Sequence, residues 1–178
     1  MITQTLIDAS DLNAWSNRND SSTFLPQLLR TLILGTVKNV ISVSFRAGEG
    51  VAIGGWDGRL DVENGDAFVP TGKSVWELGT GKDVKGKADD DYEKRKSDTL
   101  DFVPAETKYV FVTTRRWGGK EEWIRSRQAE GFWKEVRAYD ADDLATWLET
   151  VPHVHVWLSI VLGKHPEAAV DLSHVWSD

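Results

Sequence analysis

The chain contains no cysteine, so disulfides and cysteine-ligated zinc are excluded, an absence in keeping with a reducing compartment. No apolar run approaches the roughly 20 residues that a membrane-spanning helix needs. The opening stretch MITQTLIDASDLNAW lacks a basic n-region and an apolar h-region, and does not read as a secretory signal. Repeats, low-complexity tracts and long linkers are missing too. The expectation is a soluble, cytoplasmic protein without membrane contact, forming a single domain over residues 1–178, long enough to bury a core.

Positive charge is also scarce: 21 Lys and Arg stand against 28 Asp and Glu, for a net charge of −7. That balance argues against a protein that holds nucleic acid by bulk electrostatics. The cations are unevenly placed, however, with twelve of the 21 between Lys82 and Arg127. A nuclease can be acidic overall when its metal site needs carboxylates and its basic residues gather around the cleft.

What is present is ordinary globular composition, 40% hydrophobic and 28% charged, which makes disorder an unneeded explanation. The nine tryptophans read as core and rim fillers rather than base-stacking platforms. Ser10 or Asp11 is positioned to cap a short turn. Residues 22–34 carry Leu25, Leu28, Leu29, Leu32 and Ile33 at helical spacing, with Pro26 in the first turn and Gly35 as the stop. Val40–Phe45 reads as a strand, Gly48–Gly58 as a glycine-dense loop, Arg59–Glu63 as a half-buried strand, Asn64-Gly65 as a hairpin turn, and Lys73–Leu78 as the next strand.

Further along, Lys87–Lys96 predicts an exposed helix, in which Lys94, Arg95 and Lys96 read as solvated beside Asp89, Asp90, Asp91 and Glu93. Tyr109–Thr113 predicts a central strand, Glu121–Glu130 a helix and Lys134–Tyr139 a strand. Asp140 then caps a helix over 141–149, and a last helix follows Pro152 and ends near Gly163. Such an order implies an α/β fold with a mixed central sheet flanked by helices.

Two segments carry the chemistry: GGWDGRLDVENG, residues 54–65, and KSVWELGTGKD, residues 73–83. They place carboxylates on two consecutive strands, so that Asp61 and Glu77 can project toward one point, with Asp57 at the strand's entrance. Phosphodiester hydrolysis uses such a pair to hold Mg²⁺ or a similar hard cation. A nearby lysine orients water or stabilises charge on the phosphate, and Lys82, five residues beyond Glu77, is the closest candidate.

GWDGRLD followed by VWELGTGKD resembles the PD-(D/E)xK nuclease superfamily, particularly its Mrr-like branch, in which an Asp-Gly-Gly-Ile-Asp type motif precedes a Glu/Gln-x-Lys strand. The resemblance covers most of the chain. It implies a restriction endonuclease-like core and a Mg²⁺- or Mn²⁺-dependent endonuclease acting on DNA, with Asp61 and Glu77 as metal ligands. Asp57 is an alternative for the first role, since the two aspartates lie four residues apart. Where the pattern has its lysine, two residues after the glutamate, this chain has Gly79. Either Lys82 takes over that function or the site is catalytically weakened, which leaves a nucleic-acid-binding or sensing module as the rival reading. A third possibility is an interaction domain that self-associates through its tryptophans. Similar domains serve as N-terminal effectors of bacterial antiphage proteins fused to a STAND-type NTPase, which implies a homo-oligomer or a part of a larger defence protein.

After the apolar strand, TTRRWGGKEEW places Arg115, Arg116 and Lys120 where they can meet phosphates, with Trp117 or Trp123 packing on sugar or base. The alternative for this loop is a solvated turn. His153 and His155 fall on a helix where they diverge, and read as structural. The Gly-Thr-Gly-Lys run at 79–82 lacks the spacing of a phosphate loop.

Overall fold

A computed structural model describes residues 6–46 and 55–164. Helix α1 (Ala9–Trp15) is capped by Asp8, whose side chain accepts from the Asp11 amide while Asp11 reaches back to the Asp8 amide. The cap thus lies ahead of Ser10 and Asp11, because Asp11 is the second half of a capping box. Helix α2 (Asp20–Thr36) begins before Ser22, which moves Pro26 into the helix interior. There proline has no amide to donate to the Ser22 carbonyl. Gly35 does not stop the helix. A Cβ there would stand 2.7 Å from Val151 and 3.2 Å from His153, so this glycine lets the last helix seat directly on α2.

The strands are β1 (Val40–Phe45), β2 (Gly58–Val62), β3 (Gly72–Gly79), β4 (Lys108–Thr113) and β5 (Glu135–Tyr139). Residues 48–54 of the expected glycine-dense loop lie outside the described residues. Helices α3 (Val84–Ser97) and α4 (Lys120–Ala129), a 3-10 turn (Pro104–Glu106), α5 (Ala141–Thr150) and α6 (Pro152–Val161) complete the order. The fold is α/β, with one five-stranded sheet in the order β1-β2-β3-β4-β5. Strand β2 runs antiparallel to both β1 and β3, and β3, β4 and β5 are parallel.

Asn64-Gly65 does not form a two-residue turn. Val62 pairs with Gly72, so residues 63–71 make the connection. Asp66 shapes it by accepting from the Phe68 and Val69 amides at 2.9 and 2.8 Å. The longer excursion buries Val69 and stacks Phe68 on Trp147, centroids 5.3 Å apart.

Strand alternation sorts the side chains into two cores. Leu60, Val62, Trp76, Val110, Val112 and Tyr139 meet α1, α2, α5 and α6 on one face. On the other, Val75, Tyr109, Phe111, Val136 and Ala138 meet Val84, Ala88 and Tyr92 of α3 and Trp123 of α4. Strand β4 is buried along nearly its whole length, as its apolar run predicts. Trp15, Trp56, Trp76, Trp123, Trp133 and Trp147 are all buried, in keeping with their reading as core fillers. His155 is buried as well, and its Nε2 accepts from the Ile7 amide at 2.9 Å. No helix among the described residues is long and apolar enough to cross a membrane.

Candidate functional site

Sheet register decides which carboxylates meet. Gly58 pairs with Phe45 on one side and Trp76 on the other. The next step along the strands therefore lines up Arg46, Asp57 and Glu77. The Arg46 amide donates to the Asp57 carbonyl at 3.2 Å, and Asp57 Oδ2 accepts from the Leu78 amide at 2.8 Å. Asp57 is thereby fixed at the entrance of β2, with its carboxyl group against that of Glu77.

Asp61 pairs instead with Lys73, four residues short of Glu77. At about 3.3 Å per residue that leaves roughly 13 Å along the strand. It shares a sheet face with Glu77 but lines a separate groove of about 550 Å³ with Arg59, Lys73, Asp101 and Glu106. The structure thus brings Asp57 to Glu77 and leaves Asp61 apart.

Lysine placement also differs from the expectation. Lys82 is exposed in the turn after β3, and Asp83, next along, caps α3 by accepting from the Gly86 amide at 3.0 Å. Helix α3 then carries Lys87, Asp91 and Arg95 at four-residue intervals, one stripe of the helix. An added Cβ at Gly79 would lie 2.9 Å from Lys87 Cγ and 3.6 Å from Lys87 Cε. The Lys87 stem therefore runs over the very position where the motif has its lysine. Lys87 Nζ donates to Asp91 Oδ1 at 2.8 Å.

Arg95, which reads as solvated in the sequence, is 5% exposed. Its Nε donates to Glu77 Oε1, its Nη2 donates to the Gly55 carbonyl, and its Cζ stands 4.8 Å over the Trp56 ring. A signal for this burial existed in the spacing: Val84, Ala88, Asp91 and Arg95 recur every three or four residues, so the two charged residues continue an apolar stripe.

The electrostatics follow from this crowding. Burial, then the adjoining Asp57 carboxylate, pushes Glu77 up to about 9 against the pull of Arg95. Asp91 is raised, chiefly by burial and also by the Asp57 charge, although Lys87 and Arg95 oppose the shift. Burial opposes the charge on Lys87, but Asp91, Asp57 and Glu77 outweigh it and raise the ammonium's pKa. Asp91 Oδ2 is buried and has no hydrogen-bond partner.

Of the cluster, Asp57 and Lys87 line a cavity of about 180 Å³, together with Ser22, Pro26, Arg46 and Gly79, among others, while Glu77 and Arg95 are buried behind them. A phosphodiester group with a few waters fits such a volume. Among the described residues no three His, Asp or Glu side chains converge as a metal cage. Hard oxygen donors are supplied by the Asp57–Glu77 pair.

The three basic residues expected to meet nucleic acid are largely committed elsewhere. Arg115 donates to the Thr80 carbonyl at 2.7 Å and to Asn17 at 3.0 Å. Lys120 is spent on Asp143 and, at 3.5 Å, on Asp140. Arg116 is the most open, with a side chain 56% exposed and Asp142 at 3.9 Å. Trp123 is buried in the core, and Trp117 packs against it at 5.5 Å.

No protein-family model, curated protein or solved structure matches the chain.

Proposed function

We propose that this domain is a restriction endonuclease-like, metal-dependent nuclease that hydrolyses phosphodiester bonds in DNA, with Asp57, Glu77 and Lys87 at its centre. The observation that carries this reading is the meeting of Asp57 and Glu77 at adjoining strand ends, with the Lys87 stem laid over Gly79. Two carboxylates in contact repel unless a proton or a cation lies between them, and here burial sharpens the repulsion.

The donor set suits Mg²⁺ or Mn²⁺, which are commonly bound through one or two carboxylates with water filling the remaining positions. Asp57 and Glu77 would hold the cation. When bound, it would supply charge stabilisation on the phosphate and acidify water. The rest falls to the chain itself. Asp57 is held in place by the Leu78 amide, Lys87 stands at the cavity beside it ready to bind a phosphate oxygen or orient the attacking water, and Asp91 anchors Lys87. Lys87 thus offers a third answer to the lysine missing at Gly79, beyond Lys82 or a weakened site. The proposed setting, bacterial antiphage defence in the cytoplasm as a homo-oligomer or as part of a larger protein, rests on the motif resemblance alone.

One observation favours a second reading. Arg95 already occupies Glu77 Oε1, as expected of a module that binds nucleic acid without cutting it. Plasmid cleavage with Mg²⁺ or Mn²⁺, at low and high protein concentration, separates the two. The nuclease cuts, and loses about 10²- to 10³-fold in Lys87→Ala and all detectable activity in Glu77→Ala, while Lys82→Ala and Asp61→Ala stay near wild type. A domain that binds DNA in EDTA and never cuts belongs to the second reading.

A further inference from the structure

We propose that Arg95 is a latch with two seats: it is closed on Glu77 in this structure, and it moves to Asp91 when a divalent cation enters between Asp57 and Glu77. The inference rests on reading those two carboxylates as the metal pair. A guanidinium keeps its charge at any working pH, so it competes with a metal ion for the same Glu77 oxygen. Arg95 Nε occupies Oε1, and the pair is almost wholly buried, with side chains 6% and 4% exposed.

A buried cation cannot simply be released, since an unpaired one costs several kcal/mol. It needs another acceptor, and one is built in. Asp91 lies one turn earlier on α3, at the spacing that brings side chains together. Its Oδ1 is taken by Lys87, while its Oδ2 is buried and without a partner. A carboxylate has lone pairs for both cations, so Asp91 can accept Arg95 without releasing Lys87. The closed seat also includes the Gly55 carbonyl, two residues before Asp57. Opening therefore frees the segment that leads into the site, and the latch couples metal entry to the approach of β2.

The closed state can be followed in the wild-type chain by NMR of ¹⁵N-arginine. Arg95 Nε–H should exchange slowly without metal. On titration with Mg²⁺ its resonance should shift and its protection change, at the midpoint at which Mg²⁺ binds. A resonance that stays in place while Mg²⁺ binds overturns the latch. Calorimetry gives the second arm. Arg95→Gln should bind Mn²⁺ at least tenfold more tightly than wild type, with circular dichroism confirming the fold. Unchanged or weaker binding overturns the proposal.

Asp91→Asn should weaken Mn²⁺ binding in the wild-type background but not in Arg95→Gln. An equal effect in both removes Asp91 as the second seat. The latch and the nuclease reading fail separately. Tighter Mn²⁺ binding by Arg95→Gln without any cleavage keeps the latch and removes the nuclease. Wild-type cleavage with Arg95 unmoved keeps the nuclease and removes the latch.

Discussion

Glu77 sits between a carboxylate and a guanidinium, and its proton is the site's most sensitive reporter. Above the ordinary value of 4.5 an unfolded chain releases this proton, whereas the folded chain keeps it up to about 9. The unfolded state then binds fewer protons than the native one, so stability falls as pH rises through that window and levels off above it. The melting temperature of the wild type should decline from pH 5 to pH 9, and that of Glu77→Gln should decline less. A divalent cation must displace the same proton. Mn²⁺ affinity measured by calorimetry should therefore rise with pH, by up to about tenfold per unit, until it flattens near 9. Gly79→Ala is a second residue-scale test. Its methyl group would meet Lys87 Cγ at 2.9 Å, so it should cost about 1–3 kcal/mol in stability, as overpacking does, and lower cleavage by displacing Lys87.

Helix α3 carries three of the cluster's charged groups, and its inward stripe is what the sequence conceals. A helix so dense in charge reads as solvated on every side, and only Val84, Ala88 and Tyr92 reveal which face turns inward. Lys82 is closer to Glu77 along the chain, yet one turn of helix carries Lys87 back over β3, and sequence distance cannot express that return. The choice between Asp57 and Asp61 likewise depends on register, since both aspartates stand on the same sheet face and a four-residue slide is invisible to alternation. By contrast, β1, β4 and the Asp140 cap of α5 were legible, because β-branched runs and a capping aspartate are local signals. At this scale Arg95→Ala should cost about 1–3 kcal/mol in urea unfolding, by leaving Glu77 and the Gly55 carbonyl without their donor. Arg95→Met combined with Glu77→Gln should cost less than the sum of its parts.

Across the whole molecule, cations are mostly committed to carboxylates. Lys85 and Arg127 pair with Asp89, Lys87 with Asp91, Arg95 with Glu77 and Lys120 with Asp143. The basic segment that suggested a phosphate-binding surface is therefore largely neutralised internally, and the net charge of −7 is left to repel DNA. Binding without metal should be weak. The slope of log affinity against log salt should be shallower than about −3, the value for roughly three phosphate contacts, as fluorescence anisotropy at several salt concentrations can check.

The two extremities of the described chain are tied to one another. The Ile7 amide is bonded to His155, Asp11 to Lys164 at 2.6 Å, and Arg18 to the Val161 carbonyl at 3.1 Å. In topological terms the described path is nearly a closed ring. A short bridge joining residues 6 and 164 directly would make a circularly permuted protein geometrically feasible.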